Sequence, residues 1–380
     1  MRLALYLSVA AIAIIIIALT VVFFLLFRKR ASTGASGRAR DIENSKRNRE
    51  EEDEEQEEEE EEEEEKELYE EDLITFQGGE GLTICDILEA PGEVIGKSKY
   101  GTLYRAELHR VGSVKLLRFL RPACAAPDDD LASAVDVLGR IRHSNLVPLL
   151  GFYAGPRGEK LLVHPFCGFG NLAEFIRDGD GEWLKWSIIY RISIGITKGL
   201  DHLHTGLAQV VVHGNLKSKN VFLDRNHRPY ISDFGMHLLL NPDTGQQMLE
   251  TLAAQGYKAP ELIKARDATK ESDIYSLGII FLELLTGREP VNEKAAPDEE
   301  PYLPNYVREA VLQQSISDLY HPNLLSRRKR DRDGDDIDSF VVTEECILKF
   351  FQLAVACCSR SPSLRPDTRQ VLRKLSEIVK

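Results

Sequence analysis

The chain of 380 residues carries a formal net charge of −13, but Glu50–Glu67 alone holds 16 acids against one lysine, which leaves the remainder near neutral at +2. That balance excludes a folded surface that attracts nucleic acid by net charge, while 43% hydrophobic residues, with 12 Tyr and 15 Phe, are ample for a core. The six cysteines (Cys85, Cys124, Cys167, Cys346, Cys357, Cys358) show neither CxxC pairing nor a histidine at zinc-site spacing, so they read as reduced thiols without a structural metal.

In chain order, Leu3–Phe27 comes first, a run of 25 residues without a charge, Pro or Gly. A hydrocarbon core about 30 Å thick needs about 20 helical residues, so the run predicts one transmembrane helix with some tilt. It is too long for a signal-peptide core, and the cationic cluster lies on the wrong side for one. Arg28, Lys29 and Arg30 follow it and favour the cytosolic side for everything after Phe27. Two residues precede the run, which predicts no ectodomain. Residues 28–49 hold eight Arg or Lys against two acids. They read either as a grip on anionic lipid heads or as an ordinary stop-transfer flank in a disordered linker. The Glu run cannot bury apolar surface and predicts a solvated spacer or an inert tail.

From about Leu73 the composition turns globular. Short β-like runs appear at Glu93–Ile95, Gly101–Leu108, Ser113–Phe119 and Leu161–His164, with helical spacing of apolar residues over Leu131–Ile141. After Gly170 helices dominate, at Trp186–His204, Ser272–Thr286 and Val371–Val379. A β-rich half followed by a larger helical half predicts an α+β, two-lobed architecture. Residues 326–338 form a charged loop, and the adjacent Cys357 and Cys358 are expected on a packed helix.

An ordered string of motifs runs through these elements. Gly96-Lys-Ser-Lys-Tyr-Gly101 lies between two β-like runs, and Lys115 sits in the next. His213-Gly-Asn-Leu-Lys-Ser-Lys-Asn220, Asp233-Phe-Gly235 and Ala259-Pro-Glu261 follow. The string resembles the protein-kinase signature. The stretches GRIRHSNLVPLLGFY (139–153), HGNLKSKNVFLD (213–224), GYKAPEL (256–262) and SDIYSLGIIFLELLTGREP (272–290) are similar to plant leucine-rich-repeat receptor-like kinases over about residues 72–380. The resemblance implies a bilobal protein-kinase fold preceded by one transmembrane helix. The organisation expected is an anchor over 3–27, a disordered linker over 28–71 and a kinase-like domain over 72–380. Its N-lobe covers about 72–167 and its C-lobe about 168–380. The protein is then expected to be single-pass at the plasma membrane, with its kinase-like domain in the cytosol.

The same resemblance assigns roles. Gly96, Ser98 and Gly101 match the phosphate-covering loop, with Ser98 in place of a glycine. Lys115 matches the lysine that clamps the α- and β-phosphates, and its helix partner falls at Ala134, which cannot pair. Asp136, two residues on, is rotated about 200° around the helix. Pro165 and Cys167 supply hinge groups for adenine, while Ser113 above the base and Phe222 below it narrow the pocket. Asn220 and Asp233 match the Mg ligands, and Lys217 meets the γ-phosphate. His213 and Phe234 join Leu138 and Leu149 in a column between the lobes. Asp273 fixes the catalytic loop, and Glu261 pairs with Arg365.

The decisive position is Asn215, where the family has the aspartate that accepts the substrate hydroxyl proton. An amide is not a usable base, and general-base help is typically worth about 10²–10⁴-fold. Gly214 replaces the arginine that reads a phosphorylated activation segment, and Ala254 stands where a threonine would bond the base. These losses imply a membrane-anchored pseudokinase acting as scaffold or allosteric partner of active receptor-like kinases. Two alternatives stay open: a weak Ser/Thr kinase using ATP with Mg, because positioning and electrostatics supply most phosphoryl-transfer catalysis, and a nucleotide-gated binding switch. Expected partners are other receptor-like kinases or signalling proteins and membrane lipid, and not nucleic acid.

Overall fold

The computed structural model describes residues 73–378 apart from 111, 179–180, 266, 295, 297–298, 314 and 326–341. The apolar run Leu3–Phe27, the linker and the charged loop 326–338 lie outside the described residues. Among the described residues no helix is long and apolar enough to cross a membrane.

The first lobe contains β1 (Leu73–Thr75), α1 (Ile84–Leu88), β2 (Gly92–Lys97), β3 (Gly101–Leu108), β4 (Ser113–Leu120), α2 (Asp128–Gly139), β5 (Gly151–Ala154) and β6 (Lys160–Pro165). The six strands form one sheet in the order β1-β5-β6-β4-β3-β2, every pairing antiparallel. Because successive side chains alternate between faces, Leu117 of β4 joins Ala106, Leu161 and Val163 in an outer cluster closed by Ile84 and Ile87 of α1. Leu120, Phe152 and Leu162 lie in the main core instead, with Leu131, Ala134, Val135 and Leu138 of α2. Three aspartates in the first turn of α2 suit the positive end of its dipole.

The second lobe is helical: α3 (Leu172–Asp178), α4 (Trp186–Thr205), a hairpin of β7 (Val221–Leu223) and β8 (Pro229–Ile231), then α5 (Pro242–Ala254), α6 (Lys270–Thr286), α7 (Leu303–Leu312), α8 (Glu344–Cys357) and α9 (Thr368–Ile378). Its axis is α6, buried on every side from Ser272 to Leu285, started by a Thr269–Ser272 capping box and ended by Gly287 at φ 69°. A helix apolar all round must be covered all round. Ring contacts tie Phe281 of α6 to Phe350 of α8, and Phe350 to Trp186 of α4. Cys357 closes α8 and Cys358 caps it, both buried. The sheet-then-helices architecture agrees with the change of character at Gly170. Helix α5 was not anticipated, and it reshapes the site.

Candidate active site

Strand register decides which residues face the cleft between the lobes. In β4, Lys115 is opposite Ala106 and Pro165, and Arg118 is opposite Leu103 and Leu162. Leu116 lines the slot beneath the sheet with His164 and Pro165, and Arg118 reaches Asp233. With a period of two, Lys115 falls on the other face. The expectation that Lys115 is the phosphate-clamping lysine is therefore corrected: the strand cation of the cleft is Arg118. The residue over the adenine slot is likewise Leu116, two positions before it, and not Ser113. Counting from Gly101 does not set this register, because the connection between β3 and β4 can absorb a residue without disturbing the pairs.

Arg118 is 3% exposed, and its Nη2 donates to Asp233 Oδ1 at 2.6 Å. Burial opposes its charge, but Asp233 and Tyr100 beside it push its pKa above the usual arginine range. Tyr100, from the glycine turn, lays its ring 5.9 Å from the guanidinium carbon. At the position expected to pair with the strand cation, the α2 helix offers no acid. Ala134 is buried in the core, and Asp136 is exposed, with its carboxylate 2.6 Å from Arg140. The strand cation has taken the carboxylate that the family gives to a metal.

The catalytic loop is held from below. Asp273 of α6 accepts from the backbone N–H of His213 at 2.7 Å and of Gly214 at 2.9 Å, and its other close partner is His204 Nε2 at 2.9 Å. Burial would raise the Asp273 pKa, yet the bond from His204 and the neighbouring His213 and Gly214 N–H hold it below the usual range. Asn215 is 2% exposed; its carbonyl accepts from Asn220 Nδ2 at 2.9 Å. Gly214 has φ +73°, and a Cβ there would lie 2.7 Å from His237 Nδ1, so the His237 ring stands where an arginine stem would start. Lys217 Nζ donates to Gln255 Oε1 at 3.1 Å.

Gln255 follows α5, within the segment between Asp233 and Glu261. Asn241 caps α5 by accepting from Thr244 N at 2.9 Å, Pro242 opens it, and Met248, Leu249 and Leu252 bury its inner face. The Asn-Pro pair and the apolar spacing at 248, 249 and 252 are the sequence signal for this helix, independent of the kinase motifs. The helix closes the cleft floor, and between it, the glycine turn and the catalytic loop lies a cavity of about 580 Å³.

The remaining expected residues lie as follows. Ser98 closes the glycine turn on itself: Gly101 N donates to Ser98 Oγ at 3.1 Å and Ser98 N to Gly101 O at 2.9 Å. A Cβ at Gly101 would lie 2.4 Å from Phe119 O, so only glycine fits there. Gly96 lies in β2 opposite Leu103, after an irregularity in register. Leu138, Leu149, His213 and Phe234 are all buried. Arg365 pairs with both oxygens of Glu261 at 2.6 and 2.7 Å. Pro165, Cys167 and Phe222 line the adenine slot with Ile95, Leu116 and Val147, around only about 40 Å³.

A family model for protein tyrosine and serine/threonine kinases matches residues 90–375. The chain belongs to the protein kinase family. It is 37% identical over 307 residues to the probable leucine-rich repeat receptor-like protein kinase IMK3 of Arabidopsis thaliana, covering 80% of this chain and 37% of that protein. It spans less than half the length of the curated relatives it matches, which include probable inactive receptor kinases. Among solved structures it is similar to the kinase domain of maize SIRK1 bound to AMP-PNP (TM-score 0.69, 27% identity, covering 81% of this chain and 100% of that one). It is also similar to the pseudokinase domain of BIR2, an immune regulator of the RLK/Pelle family (TM-score 0.59, 30% identity, covering 75% and 80%).

The kinase fold thus holds a nucleotide analogue in a relative, which gives a standard for this chain. A void of about 40 Å³ is the room of one or two waters, far short of a purine. A metal at Asp233 Oδ1 would have to compete with a buried guanidinium already bonded to that oxygen. As arranged, these residues do not fit a magnesium nucleotide.

Proposed function

We propose that this protein is a receptor-like pseudokinase that works by binding other receptor kinases or signalling proteins and not by transferring phosphate. The observation that carries the reading is the Arg118–Asp233 ion pair at 2.6 Å, which occupies the carboxylate a metal needs. Asn215 in the proton-accepting position, Leu116 and Phe222 in the adenine slot, and α5 in the cleft support it. The similarity to BIR2 adds a pseudokinase precedent of the same fold.

In this reading Leu3–Phe27 anchors the chain as a transmembrane helix. Residues 28–71 form the linker, with the basic part toward anionic lipid, and the kinase-like domain from residue 72 lies in the cytosol at the plasma membrane. Retention of Lys217, Asn220 and Asp233 favours a second reading, a weak Ser/Thr kinase, because metal electrostatics and positioning carry much of phosphoryl transfer.

The test is transfer of radiolabelled phosphate from Mg-ATP by the full chain, with Asp233→Ala as control. No transfer above that control is expected. Transfer that the control abolishes would sink the pseudokinase reading. A thermal shift with Mg-ATP tests the nucleotide-gated switch, and no shift is expected.

A further inference from the structure

In the helical lobe, α7, the end of α8 and the segment after it border an open groove of about 570 Å³ that shares no lining residue with the cleft. Val355 and Ala356 of α8 line it, with Arg308 of α7 and with Ser359, Arg360 and Leu364 of the following segment, and none of these is acidic. Leu312 stands one helical turn beyond Arg308 on the same side of α7. Leu312 and Leu364 are 78% and 73% exposed.

Leu364 does not sit on a loose loop. Pro362 opens the short helical turn that carries it, and Arg365, next in the chain, is pinned by both oxygens of Glu261 and donates from Nε to Ser359 O at 2.9 Å. A fixed backbone that holds a leucine out in water is the mark of an interaction surface. Arg308 is fixed as well: Nη1 donates to Asn305 Oδ1 at 3.1 Å and Nη2 to Cys358 O at 3.3 Å, both neutral acceptors. Arg360 is exposed, and among the described residues no carboxylate pairs with it. A groove built this way loses little conformational entropy when a partner docks.

We infer that this groove docks an amphipathic helix of a partner protein, with apolar side chains against Val355, Ala356 and Leu364 and carboxylates against Arg308 and Arg360. Charge complementarity decides the chemistry. The lining carries two guanidinium groups and no acid, and arginine matches a carboxylate through two parallel hydrogen bonds. A helix presents apolar and acidic groups along one side at spacings of three and four residues, which is the pattern of a helix laid in a groove. The inference rests on the scaffold reading and gives it a surface. The two fail separately: phosphate transfer above control would remove the pseudokinase reading, while peptide binding decides the groove.

The experiment is fluorescence anisotropy of labelled peptides titrated with the full chain in phosphatidylcholine nanodiscs. The probe is a peptide of about 18 residues, five turns of helix, with leucines at every third and fourth position flanked by glutamates. Comparison peptides carry lysines for the glutamates, or the same residues in scrambled order. The variants are Arg360→Glu and Leu364→Asp, both at exposed positions. Lys198→Glu on α4 and Ile263→Asp, also exposed, control for charge and apolar surface lost elsewhere.

Saturable binding of the acidic peptide is expected, at least about tenfold tighter than of either comparison peptide. Each groove variant should weaken it at least about tenfold, and the controls should not. The preference for glutamate over lysine should narrow or reverse in Arg360→Glu, which misfolding would not produce. Equal binding of the acidic and lysine peptides, equal binding by the groove variants, or no binding up to about 1 mM would overturn the inference. So would self-association, read by energy transfer between chains in separate nanodiscs, that Leu364→Asp abolishes, because the occupant would then be a second copy.

Discussion

Arg118 and Asp233 show how two side chains can settle the chemistry of a site. Each is costly alone in the cleft, the guanidinium because it is buried and the carboxylate because it would lose the cation bonded to it at 2.6 Å. Removing the cation by Arg118→Met should destabilise the domain by about 3 kcal/mol, the low end for a broken buried pair because Asp233 keeps some solvent. Adding Asp233→Asn should recover part of that loss, because no uncompensated charge remains; a double-mutant cycle in urea measures both. Restoring carboxylates is not expected to create turnover. Ala134→Glu with Asn215→Asp is expected to leave phosphate transfer at background in the radiolabel assay, since the slot under Leu116 still excludes adenine. Residues such as Asn215 and Gly214 were legible because they are counted from His213 within one short uninterrupted segment. Arg118 was not, because its distance from Gly101 crosses a turn of variable length.

At the scale of elements, α6 does more than fill the core. Its Glu283 is fully buried, accepts from Tyr257 Oη at 2.6 Å and Ser218 Oγ at 3.1 Å, and has its pKa pushed up by burial to about 7. A carboxyl raised from 4.5 to about 7 keeps its proton in the folded chain while the unfolded chain loses it. Its contribution is therefore fully present below pH 4.5 and falls as pH rises to about 7, by on the order of 3 kcal/mol at most. Glu283→Gln keeps a neutral hydrogen-bonding group there. It should flatten the pH dependence of Tm across that window and be the more stable form at about pH 8, as read by melting at a series of pH values. Strands and long helices were legible from periodicity, and β3 spans the same residues, Gly101–Leu108, in sequence and structure. Helix α5 is encoded in the Asn241 cap, Pro242 and the apolar spacing at 248, 249 and 252, which the motif residues Asp233 and Glu261 on either side do not carry.

For the molecule as a whole, long-range pairs hold distant segments together. Arg365 binds Glu261 through both terminal nitrogens, donates to Glu271 O at 2.7 Å and, through Nε, to Ser359 O at 2.9 Å, and packs its guanidinium 5.0 Å from the Tyr275 ring. Arg365→Ala should cost about 3–5 kcal/mol, because Glu261 then keeps a charge without its partner; chemical denaturation checks it.

The amino-acid sequence by itself determined the two-lobed architecture, the kinase family and the neutral amide at position 215, since periodicity and short-range spacing encode all three. Only the tertiary structure decided that Arg118 and not Lys115 faces the cleft, that Arg118 closes on Asp233, and that α5 turns the space above the catalytic loop into a cavity. Those outcomes rest on strand register and on which charges meet across more than a hundred residues, and neither is written in local composition.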